Sequence, residues 1–186
     1  ILERGRPRPI RELRPGPADV VFFSDGSGPG EGDPPGTPYR VGGVVFAWWL
    51  ERPAAFGRDI PENMIKTWLP RKNQIALVEL FRAVIAVTPF GSELAGKRVM
   101  ILIDSETALD ALIKGQSKFS DVLKLLKVFW DLAAEHGIDI YLDRVSTAAT
   151  PSDGMSRAKF QEAEDRGWRV VQTRFPEILD QSRSKA

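Results

Sequence analysis

Between residues 74 and 87 the segment QIALVELFRAVIAV is apolar almost all the way round, and Glu79 and Arg82 are its only charges. The spacing predicts a buried helix. A carboxylate at the centre of such a helix needs a partner, either Arg82 at i,i+3 on the same face or a metal ion. Upstream, DVVFFSDGS (19–27) is a short apolar run ending in Asp-Gly, which predicts a buried strand meeting a turn. GPGEGDPPGTP (28–38) is a loop dense in Gly and Pro. YRVGGVVFAWWLE (39–51) predicts a second strand, whose Gly pair allows a bulge or a close backbone approach, and a third is expected near MIKTWLP (64–70). These three predict an antiparallel meander.

Beyond the central helix, GKRVMILID (96–104) is a strongly apolar strand ending in Asp104. SETALDALIKG (105–115) predicts a short helix capped by Ser105, and SKFSDVLKLLKVFWDLAAEHG (117–137) a longer amphipathic one stopped by Gly137. IDIYLDRV (138–145) predicts a fifth strand. TPSDGMSRAKFQEAEDRG (150–167) predicts a last helix, with Thr150 or Ser152 as cap and Gly167 as stop, followed by the strand-like or docked WRVVQTRFPEIL (168–179). The order is β-β-β-α-β-α-α-β-α. It predicts an α/β fold, a mixed five-stranded sheet with helices packed on it.

Length and composition narrow the picture. At 186 residues and 42% hydrophobic, one domain is expected over 19–176, between a basic Pro/Arg-rich arm or linker (1–18, five Arg and four Pro) and a C-terminal tail (177–186). Opening on Ile1, the chain is expected to be an excised domain, a processed fragment or a trimmed chain. The absence of Cys removes disulfides and thiolate chemistry, and fits an intracellular setting, cytoplasm or nucleus. A single His, His136, sits near a helix end as a surface or C-terminal helix charge. No run reaches the length of a membrane span. A formal charge of +1 makes any nucleic-acid footprint local.

Four acids sit where a solvated charge would not. Asp25 ends the first strand, Glu79 lies in the apolar helix, Asp104 ends the fourth strand and Asp153 opens the last helix. With the first and fourth strands adjacent, Asp25 and Asp104 lie side by side and Glu79 faces them. Such carboxylates repel unless cations lie between them, and hard oxygen donors suit Mg²⁺ or Mn²⁺. Each also has a local role open to it. Asp25 suits a turn before Gly26, Glu79 a pair with Arg82, Asp104 a helix cap in competition with Ser105, and Asp153 compensation of a helix N-terminus.

The segments SDGS (24–27), IALVEL (75–80), ILIDSETALDALIKG (101–115) and TPSDGMSR (150–157) resemble, in order and on matching elements, the ribonuclease H family. More narrowly they resemble the ribonuclease H domains of retroelement reverse transcriptases, over about residues 19 to 166. The resemblance implies an endonuclease that cuts the RNA strand of RNA–DNA hybrids with two Mg²⁺ (or Mn²⁺), leaving 5′-phosphate and 3′-hydroxyl ends. Asp25 would bridge both ions. Asp153 would complete the site that activates water, and Glu79 and Asp104 would hold the ion at the leaving oxygen. It also implies a hybrid substrate and a covalently linked or associated polymerase domain; with no span-length run, no membrane partner is expected.

Departures from the family pattern are the loop STAAT (146–150), which lacks a His, the T-P-S-D in the last motif, and the lack of room for a separate basic helix after Gly115. They point to weaker substrate binding and to an alternative reading, a catalytically weak or inactive scaffold or nucleic-acid-binding module of the same fold. A proofreading exonuclease would show Asp-x-Glu where Asp25-Gly26-Ser27 stands, and a transposase or integrase would end its acid set on Glu rather than Asp153.

Candidate nucleic-acid contacts are the turn residues Gly26, Ser27 and Gly28, the pair Asn73 and Gln74 before the central helix (equally placed to cap it), and the cations Lys66, Arg71, Lys72 and Arg157. Trp48, Trp49 and Trp68 are expected in the core. Asp110 and Asp121 are expected to face solvent, and Asp143 to pair with Arg144 at the surface.

Overall fold

β1 (Val20–Ser27), β2 (Arg40–Ala47) and β3 (Ala54–Asp59) run as an antiparallel meander. β4 (Arg98–Ile103) joins the other side of β1 in parallel, and β5 (Asp139–Arg144) joins β4 in parallel. A two-residue strand, β6 (Arg169–Val170), lies parallel to β3, so the sheet has six strands in the order β5-β4-β1-β2-β3-β6. The computed structural model describes residues 17–30, 33–71, 74–88, 90, 92–146, 149–173 and 175. The expected tail and all but the last two residues of the expected arm lie outside them.

The period-two alternation of the strands separates two packing faces. Val20 and Phe22 of β1, Val41 and Val45 of β2, and Ala54 and Phe56 of β3 enter the main core. There they meet α2 (Ile75–Val87), α3 (Glu106–Lys114) and α4 (Ser120–Glu135). Val44 and Ala55, one residue out of phase, face a smaller core with Met155 and Ala163. These come from two short helices, α5 (Asp153–Ser156) and α6 (Gln161–Asp165). The near-complete burial of α2 explains why its sequence has almost no polar face. α3 ends as its sequence predicts: Ser105 accepts from the Ala108 N–H, and Gly115 takes φ 60°. Among the described residues no helix is long and apolar enough to cross a membrane.

Beyond the added sixth strand, the structure corrects five expectations. The third strand is Ala54–Asp59, whereas MIKTWLP falls in α1 (Glu62–Ile65) and the turn after it. Its buried residues Met64 and Trp68 are four apart, a helical spacing. The last helix is two, because Ala158 adopts φ 58° and closes α5. There the Lys159 N–H donates to Gly154 O at 2.7 Å and the Ala158 N–H to Met155 O at 3.3 Å, a Schellman ending. Trp68 is in the core and Trp49 packs partly against it, but Trp48 stands exposed beyond the end of β2. Asp143 does not pair with the Arg144 side chain; it accepts from the Arg144 N–H, while that guanidinium lies 3.9 Å from Glu106.

The fifth correction concerns Asp121, which is buried. Arg71 grips it with two N–H···O bonds of 2.6 and 2.8 Å, and the Leu69 N–H donates to it at 2.8 Å. The Arg71 bond, ahead of other causes, holds its carboxyl down at about 2. A depressed carboxyl contributes stability that is present above its ordinary value of 3.8 and lost as pH falls through 2. Asp121→Ala is therefore expected to lose about 2 kcal/mol of stability at pH 7. In urea unfolding the gap to the unsubstituted protein should close towards pH 2; a constant gap would refute the charge assignment.

Candidate active site

Three elements bring their acids to one end of the sheet. The parallel register pairs Val20 with Val99 and Phe23 with Leu102, and the same offset two residues on sets Asp25 beside Asp104. α2 closes on β1 at Gly26, where an added Cβ would meet Val78 Cγ1 at 2.8 Å and Glu79 Oε1 at 3.4 Å. The missing side chain lets Glu79 and Arg82 reach the strand ends. From the opposite face α5 rests on Gly42 and Gly57, cross-strand neighbours in β2 and β3. Gly42 is also the partner of Asp25 across β1 and β2, so α5 delivers Ser156 to Asp25.

The centre of the cluster is a cation from the chain itself. Arg82 is fully buried. Its Nη2 lies 2.6 Å from Glu79 Oε2 and 2.5 Å from Asp104 Oδ1, and its Nη1 lies 3.4 Å from Asp25 Oδ1. The Nε–H donates to the Glu79 main-chain O at 3.1 Å. The approach to Glu79 Oε2 is one of charge to charge, because that buried oxygen has no directed hydrogen bond. Asp25 Oδ2 accepts from Ser156 Oγ.

One guanidinium does not neutralise three carboxylates, and burial sharpens the imbalance. Burial pushes Glu79 up to about 7; the Arg82 charge opposes this, and Asp104 and Asp25 add to it. Asp25 is also raised, first by burial, against the Ser156 hydrogen bond and the Arg82 charge, with Asp104 and Asp153 assisting. Asp153 lies at the rim, half exposed, where the Arg157 Nε–H donates to it at 3.0 Å and Arg157 is held above its ordinary value by that bond.

All four sequence-predicted acids therefore belong to one neighbourhood, three around Arg82 and Asp153 at its edge. Ser105, not Asp104, caps α3. Other expected contacts among the described residues have structural partners. Ser27 Oγ donates to Ser156 O at 2.7 Å, and Gly28 lies under the Tyr39 ring, 2.5 Å from where its Cβ would be. Arg71 is engaged by Asp121, and the Gln74 side chain donates to Leu69 O at 2.9 Å rather than capping α2. Exposed Lys66 lies 2.9 Å from Glu62. Lys72 and Asn73 lie outside the described residues. Sequence reasoning missed the roles of Arg82, read only as a local partner of Glu79, and of Ser156, which sits in the quoted segment TPSDGMSR.

The donors match a hard divalent cation in kind: carboxylate oxygens, one of them buried without a directed partner, turned towards positive charge. In space Arg82 holds the position between them. Among the described residues no three acidic or histidine side chains are arranged to hold a metal ion as they stand.

Comparison with known proteins places the fold. No protein-family model matches the sequence, and no curated protein matches it. Among solved structures the chain is similar to the N-terminal RNase H domain of a Mycobacterium tuberculosis protein, solved as a fusion with maltose-binding protein. That match has 18% identity and TM-score 0.52 over 81% of this chain and 99% of that one. It is also similar to LC11-RNase H1, isolated from compost by a metagenomic approach, at 15% identity and TM-score 0.53 over 79% of this chain and 99% of that one. A second structure of LC11-RNase H1, in complex with an RNA/DNA hybrid, matches at 15% identity and TM-score 0.51 over 78% of this chain and 99% of that one. The chain has the ribonuclease H fold, with a sixth, short strand added to the expected five.

Proposed function

We propose that this chain, carrying the ribonuclease H fold, is a metal-dependent endonuclease that cuts the RNA strand of RNA–DNA hybrids and works as part of a reverse transcriptase polyprotein. The observation that carries the reading is the gathering of Asp25, Glu79 and Asp104, from β1, α2 and the end of β4, with Asp153 beside them on α5. Divalent ions held by these four carboxylates would supply Lewis-acid activation of water and charge compensation at the scissile phosphate. Asp25 is oriented for this by Ser156, and Glu79 and Asp104 are fixed on a helix and a strand end rather than on mobile loops. Arg157, exposed beside Asp153, is placed to meet a backbone phosphate. The hybrid complex of a structural neighbour supports the choice of substrate.

The test is digestion of labelled hybrid, duplex DNA and duplex RNA, with and without Mg²⁺ or Mn²⁺. Cleavage of the RNA strand in the hybrid alone, dependent on the ion, is expected. Asp25→Asn or Asp104→Asn should reduce it by roughly 10³-fold or more. Buried Arg82 favours a second reading, a ribonuclease H-like module that binds nucleic acid without cutting it. No cleavage by folded, ion-saturated protein, together with hybrid binding indifferent to Asp25→Asn, would replace the first reading by the second.

A further inference from the structure

We propose that Arg82 is a built-in counter-cation that closes the acidic pocket by default, competing with a divalent ion for the position between Asp25, Glu79 and Asp104. The proposal rests on the reading of this pocket as a cation site. Three observations carry it. First, the side chain is aimed by its own helix: one turn after Glu79, its Nε–H is tied to the Glu79 main-chain O at 3.1 Å, which fixes the plane of the head group. Secondly, the head group has no solvent exposure, so it is not a surface cation that happens to lie near the acids. Thirdly, its two terminal nitrogens are divided among three carboxylates from three elements, with Nη2 between Glu79 and Asp104 and Nη1 towards Asp25.

The two kinds of cation exclude each other. A guanidinium spreads its positive charge and N–H donors along the edges of a plane, so carboxylates gather around its rim rather than at one point. A metal ion requires oxygens to converge on one point at about 2.0–2.6 Å. The same acids satisfy one arrangement or the other. Deprotonation cannot open the pocket, because arginine stays charged across the working range of pH. An ion enters only as the guanidinium withdraws, and its two charges then offset more of the carboxylate repulsion than Arg82 does. A fixed competitor of this kind weakens ion binding without altering any ligand.

The experiment measures Mn²⁺ binding by calorimetry, without nucleic acid, to the unsubstituted chain and to Arg82→Ala and Arg82→Met. Both variants are expected to bind roughly tenfold tighter or better; equal or weaker binding overturns the proposal. In case neither variant folds without metal, the Arg82 Nε–Hε signal of the unsubstituted chain is followed by NMR as Mg²⁺ is added. A shift with faster hydrogen exchange supports displacement, and a signal unmoved at saturating ion overturns it. Hybrid cleavage is scored separately. Tighter ion binding in the variants, with no cleavage by the unsubstituted chain at saturating ion, keeps this inference and removes the nuclease reading. Cleavage with ion affinity unchanged in the variants does the reverse.

Discussion

Arg82→Leu is expected to lower the stability of the metal-free protein by about 3–5 kcal/mol at pH 8 and by much less near pH 5. The substitution keeps an apolar side chain of moderate size on α2 and removes the charge at the centre of the cluster. Asp25, Glu79 and Asp104, each nearly buried, then face one another without their shared cation. Removing one member of a buried ion pair leaves the other's desolvation uncompensated, which is where a loss of this size originates.

The pH dependence follows from Glu79. Its carboxyl is raised from 4.5 to about 7 in the folded protein, so the native state holds a proton that the unfolded chain has already released. Stability from that proton is complete below 4.5 and is lost as pH rises through 7, a change of about 3 kcal/mol. In the variant the lowering influence of Arg82 on Glu79 and Asp25 is gone, so both rise further. Protons then replace the guanidinium at low pH and cannot do so at high pH. Urea unfolding in EDTA at pH 5 and pH 8 measures both gaps. Equal gaps, or no loss at pH 8, would mean that Arg82 does not hold the acids as described.

How much of this was legible in the chain depended on how local the signal was. The central helix and the Ser105 cap follow from an apolar run and a cap a few residues long. The β1–β4 pairing that aligns Asp25 with Asp104 joins distant segments, and the apolar runs supply it only as a condition. β3 did not announce itself, because AAFGRD mixes small residues, a Gly and two charges, while the neighbouring MIKTWLP looks more apolar. Burial of Asp121 depends on Arg71, fifty residues earlier, and no periodicity encodes that pairing. In the chain Arg82 is visible only as a neighbour of Glu79, where it offers an alternative to a cation site. The structure makes it a member of that site, because Asp104 and Asp25 arrive from distant segments to share it. Ser156 is a similar case: its position in TPSDGMSR is local, but its partner Asp25 is 131 residues away.

Gly42→Ala is expected to cost about 1–3 kcal/mol, towards the upper end, and to loosen α5 before the rest of the sheet. A Cβ there would lie 2.3 Å from Ser156 N and 2.5 Å from Met155 C, both main-chain atoms. A rotamer change cannot relieve either contact, so α5 must lift. Its four residues end on the left-handed Ala158, and one of its supports is Gly57, where a Cβ would lie 2.5 Å from Met155 O. Lifting α5 draws Ser156 Oγ away from Asp25 Oδ2 and removes the hydrogen bond that opposes the upward pull of burial on Asp25. Hydrogen exchange should therefore show early loss of protection in residues 153–165, with the β1–β4 pairing still intact. Gly30→Ala is the control, since its nearest neighbour would be Asp33 Oδ2 at an ordinary 3.5 Å, and it should change stability by no more than about 0.5 kcal/mol. If the two variants unfold alike, close approach of α5 to a bare strand is not what sets Ser156 against Asp25, and this account of how the far side of the site is built fails.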